Sequence, residues 1–86
     1  MTYQEVRQHY PETWLLLEAL HGRSEGEYRI LEDVAVLASF AESFAALVAY
    51  RQFKATDPNR ELYVVHSTKP ELQIKERQWL GIRSAA

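Results

Sequence analysis

"AESFAALVAYRQFKA", residues 41–55, decides the fold. It is rich in alanine, free of Gly and Pro, and halted by "DPN" at residues 57–59, so it reads as the longest helix of the chain. Ser39 followed by Glu42 has the capping-box spacing, which sets the helix at about residues 40–56. At 100° per residue, Ala41, Phe44, Ala45, Leu47, Val48, Ala49, Tyr50 and Phe53 leave only scattered polar positions. These are Glu42, Ser43, Arg51, Gln52 and Lys54. A helix that covers one face of a small sheet needs an apolar arc of a little over ~100°. This helix exceeds it, so its back asks for cover from the N-terminal helix and C-terminal tail, or from another subunit.

On its N-terminal side lies "YRILEDVAVLASF", residues 28–40, apolar and β-branched but interrupted by Glu32 and Asp33. A long strand bulged near those acids fits. "HGRSEGE", residues 21–27, holds two of the three glycines and reads as a hairpin loop back to a buried strand, "TWLLLEAL", residues 13–20. Before that strand, Thr2 and Glu5 have capping-box spacing for a short helix that must end near Tyr10, ahead of Pro11. On the C-terminal side, "RELYVVHS", residues 60–67, alternates as a third strand. "ELQIKE", residues 71–76, is compatible with an edge strand or with a short helix begun at Pro70. The expected architecture is α+β: a small antiparallel sheet with a ββαβ core, covered by one long helix, with a short N-terminal helix and a C-terminal tail.

Eighty-six residues suit one domain spanning 1–86, and its 47% hydrophobic and 26% charged residues are those of a globular chain. A domain of this size buries little more than ~60% of its unfolded surface, so a second subunit would help it. No run approaches a membrane span, and "MTYQEVRQHYPE", residues 1–12, has no signal-peptide core. With no cysteine there is no disulfide or thiolate site, and a soluble cytoplasmic protein is expected. The net charge of −2 gives no general attraction to nucleic acid or acidic lipid. Charge is nonetheless uneven: residues 1–59 carry five basic and nine acidic side chains, residues 60–86 five basic and three acidic. Contact between unlike halves of two copies would be favourable.

Chemistry is harder to find. His66, Ser67, Thr68 and Lys69 put a base, two hydroxyls and an amine in succession, but neighbours on a strand face opposite ways, which argues against a direct His66–Ser67 pair. A strand end passing into a turn is the plainer explanation. No two of His9, His21 and His66 have helical metal-site spacing, no glycine-rich phosphate loop is present, and no cofactor or metal is expected. "KERQWLGIR", residues 75–83, mixes basic and aromatic groups that could stack on a single-stranded base. An amphipathic edge packing on protein is the commoner use of such a mixture. Tyr10-Pro11 with Trp14 reads as an aromatic lid, Pro11 ending the helix and Trp14 anchoring the first strand.

"YPETWLLLEAL", "VLASFAESFAALVAY" and "RELYVVHSTKPEL" together resemble a family of small bacterial and archaeal proteins of unknown function. Its members open with Tyr-Pro or His-Pro and a Trp, then add a second strand, a Ser-led helix and a short third strand. The resemblance covers roughly residues 10–68 and implies a ββαβ unit without any activity. This chain departs in its longer loop at 21–27 and in the segment after Thr68.

The expected function is therefore a non-enzymatic protein–protein interaction or homodimerisation module. Its candidate interaction residues are Trp79, Leu80 and Ile82 of the tail, Tyr50 and Phe53 of the long helix, and Trp14. Two alternatives are a small hydrolase or transferase using His66 with Lys69 or Ser67, and an antitoxin-like regulatory partner.

Overall fold

The computed structural model describes residues 1–72, 74 and 75. Over the described residues the fold is α+β, a four-stranded antiparallel open sheet with two helices. In chain order these are α1 (Tyr3–His9), β1 (Trp14–Glu25), β2 (Tyr28–Phe40), α2 (Ser43–Thr56), β3 (Leu62–His66) and β4 (Ile74–Lys75). The strands lie side by side as β3-β1-β2-β4, every neighbouring pair antiparallel. Of the two readings of the segment after Pro70, the strand holds at Ile74–Lys75, which pairs with Arg29 and Tyr28.

Thr2 caps α1 as its sequence demands: its hydroxyl accepts from the Glu5 amide and the Glu5 carboxylate accepts from the Thr2 amide. The helix closes at Tyr10, just ahead of Pro11. The corresponding box at Ser39 and Glu42 does not form. β2 runs on to Phe40 and holds Ser39 in the ladder opposite Leu15, so Glu42 precedes α2 with no side-chain cap.

The hairpin loop expected over 21–27 is also corrected. β1 continues to Glu25, and the turn is only Gly26 and Glu27. Gly26 has φ +61°, at the first of two loop positions, where a II′ hairpin calls for glycine. The charges read as loop instead line a solvent-exposed ribbon, in which Arg23 pairs with Glu25 and Glu32. The bulge expected near the two acids is present: Glu32 is the extra residue between the His21–Asp33 and Gly22–Leu31 pairs. On the opposite strand Leu20 is extra, between the Ala19–Val34 and His21–Asp33 pairs.

Alternation along β1 divides the interior between two sheet faces. Leu15 and Leu17 point one way, into a cluster with Val34, Val65 and the α1 residues Tyr3 and Val6. Leu16 points the other way, paired with Val64, and with Leu62 and Ala46 makes the second buried layer, under α2. So two helices cover the sheet, one on each face, in place of the single covering helix expected. The consequence is direct: α1 lies across the sheet from α2 and cannot cover its back.

Candidate interaction surface

α2 presents two opposed apolar arcs. Ala46 is fully buried, and Ala49, Tyr50 and Phe53 are half-buried on the same ~100° of helix, toward the sheet. Phe44, Leu47 and Val48, together with Arg51, occupy a second arc of about 100° on the far side. They are open: Phe44 is 71% exposed, Leu47 45% and Val48 37%. Single exposed apolar side chains are ordinary, but three at i, i+3 and i+4 are contiguous on the helix surface.

α2 is held with this side outward by the strand that follows it. Arg60 donates to both Glu18 oxygens, at 2.9 and 2.8 Å, and its guanidinium lies 5.0 Å from the centre of the Phe53 ring. The pair holds the Glu18 carboxyl below the ordinary glutamate range, because Arg60 hydrogen-bonds the charged form. The next residue, Glu61, bonds Arg29 through both oxygens at 3.0 Å and accepts the Tyr63 hydroxyl at 2.6 Å. It too titrates lower than usual, with the Arg29 hydrogen bonds as the main cause. Residues 60 and 61 thus tie the entry of β3 to β1 and to β2.

On its way to Glu61, Arg29 passes close over the bare backbone of Gly22. A Cβ built at Gly22 would stand 3.1 Å from the Arg29 Nη2, 3.2 Å from its Cζ and 3.1 Å from the Ile30 carbonyl oxygen. The glycine that suggested a turn is thus a passage for an arginine across β1.

The residues of possible catalytic interest are engaged otherwise. Ser67 is 3% exposed, its hydroxyl accepting the Thr13 amide at 3.0 Å, while Arg7 Nε donates to its carbonyl at 3.0 Å. His66 contacts the Trp14 ring edge-on at 5.0 Å, and its Nδ1 lies 2.7 Å from the Thr68 hydroxyl. The base and the nucleophile that acyl transfer would require are turned to different partners. Among the described residues, no three His, Asp or Glu side chains converge as metal ligands, and no helix is long and apolar enough to cross a membrane.

Of the sequence candidates, Tyr50, Phe53 and Trp14 are half-buried within their own chain. Trp79, Leu80 and Ile82 lie outside the described residues. Phe44, Leu47 and Val48 carry the exposed surface. Their helical spacing is visible in sequence, but both arcs of α2 are apolar, so spacing alone does not choose which one meets the sheet.

The fold defines a small α+β protein whose outstanding surface feature is one apolar helix face. Comparison with protein families, with curated proteins and with solved structures finds no match.

Proposed function

We propose that this chain is a non-enzymatic protein–protein interaction module of the cytoplasm that docks through the outer face of α2. The ββαβ unit from β1 to β3 is its frame, and α1 closes the opposite face of the sheet. The observation that carries this reading is the contiguous exposed stripe of Phe44, Leu47 and Val48 on a helix whose other side already fills the interior. Full burial of such side chains is worth roughly 1.5–3 kcal/mol each, and these are about half open, so they offer about 3–4 kcal/mol before the costs of association. Such a surface suits a reversible contact. The engaged hydroxyl of Ser67 and the Thr68 contact of His66 weigh against the hydrolytic alternative.

A photoactivated benzophenone amino acid placed at Leu47 in living cells tests the docking surface, with the same group at Glu12 as the control. A discrete adduct from Leu47 and none from Glu12 is expected. No adduct from Leu47, in cells where the protein is well expressed, overturns the proposal.

A further inference from the structure

We infer that the occupant of this face is a second copy of the chain, with the two α2 helices antiparallel about a two-fold axis between Leu47 and Val48. This rests on the docking function proposed above and adds the partner to it.

A two-fold interface must be self-complementary, and the stripe meets that condition. In an antiparallel pair centred between Leu47 and Val48, Leu47 faces the other copy's Val48, and Phe44 faces its Arg51. The last contact sets a guanidinium on an aromatic face, an attraction repeated at each end of the stripe by symmetry. The chain already makes such a contact internally, with Arg60 over Phe53 at 5.0 Å. Arg51 is exposed, and among the described residues no carboxylate forms an ion pair with it. A parallel pair would instead bring Arg51 against Arg51.

The absence of cysteine makes the geometry directly testable by introducing cysteines into the full chain. In the antiparallel pair, chains carrying Phe44→Cys and chains carrying Arg51→Cys oxidise to a mixed dimer, because those positions meet. Each is about 10 Å along the axis from its own mate, beyond disulfide reach. Ala55→Cys, more than ~20 Å from its mate, does not cross-link at all. In sedimentation equilibrium across the micromolar range, the unmodified chain doubles its mass, and Leu47→Glu weakens that association about tenfold or more. A monomer throughout the range overturns the inference. So does a dimer in which Phe44→Cys and Arg51→Cys fail to cross-link, since the copies would then meet elsewhere, as at the outer edge of β3. A photo-adduct from Leu47 with the mass of a different protein sinks the second copy and leaves the docking function standing. No adduct removes both.

Discussion

Arg60 and Glu18 form a two-point ion pair across the sheet, and the same guanidinium covers Phe53 of α2. One side chain therefore joins β1, the entry to β3 and the inner side of α2. Exposed pairs contribute little, ~0.2–1 kcal/mol, and breaking a buried one costs ~3–5 kcal/mol. With both partners about three-quarters covered and a ring contact added, Arg60→Met should cost about 1–3 kcal/mol in urea unfolding. Arg60→Lys should recover little of it, since an ammonium cannot bond both oxygens while covering the ring.

The Arg29–Glu61 pair makes a different and more particular prediction. Replacing a strand glycine by alanine normally stabilises, because glycine has more chain freedom to lose. At Gly22 the new methyl would press on Arg29 and on the Ile30 carbonyl oxygen, so Gly22→Ala should destabilise by about 1 kcal/mol. In an Arg29→Met background the cost should shrink to what the new methyl meets at the Ile30 carbonyl oxygen, also 3.1 Å away. A double-mutant cycle measures the coupling, and additive effects would show that Arg29 does not depend on the bare glycine.

Acid should unfold the chain through these same pairs. Glu18 and Glu61 titrate below the ordinary glutamate value of 4.5 in the folded chain, held there by Arg60 and Arg29. A depressed folded pKa contributes stability that is complete above the unfolded pKa and is lost as pH falls through the folded one. Unfolding free energy should therefore decline from about pH 5 downward. The joint Glu18→Gln, Glu61→Gln variant should be less stable at neutral pH and show a flatter decline.

Ser67 separates structure from chemistry. Ser67→Ala leaves the Thr13 amide without its acceptor in a partly buried place, at a cost of about 1–3 kcal/mol. The natural chain should also resist a serine-reactive fluorophosphonate. Labelling at Ser67 would restore the hydrolytic alternative.

Much of this architecture is legible in local sequence, where local physics decides it. Thr2 and Glu5 cap α1 reciprocally, Pro11 ends it, and Glu32 marks a bulge. Where partners distant in sequence decide, local signals mislead. Ser39 has cap spacing but is held in the ladder by Leu15, and the charges over residues 21–27 look like a loop because the ribbon they form lies in water. Gly22 looks like a turn because the side chain it accommodates is seven residues away. The candidate surface was half legible: an excess of apolar surface on α2 follows from composition alone. That Phe44, Leu47 and Val48 lie outward, with Tyr50 and Phe53 inward, is settled by which arc the sheet takes.

The most direct test asks whether the outer stripe serves association rather than folding, by comparing urea unfolding of the natural chain and Leu47→Glu at successive dilutions. At high dilution the two should agree within about 0.5 kcal/mol, as exposed substitutions do. As concentration rises, the natural chain should gain stability by mass action while Leu47→Glu stays constant. A variant already destabilised at the highest dilution, by about 2 kcal/mol or more, would contradict this, placing Leu47 in a contact within its own chain.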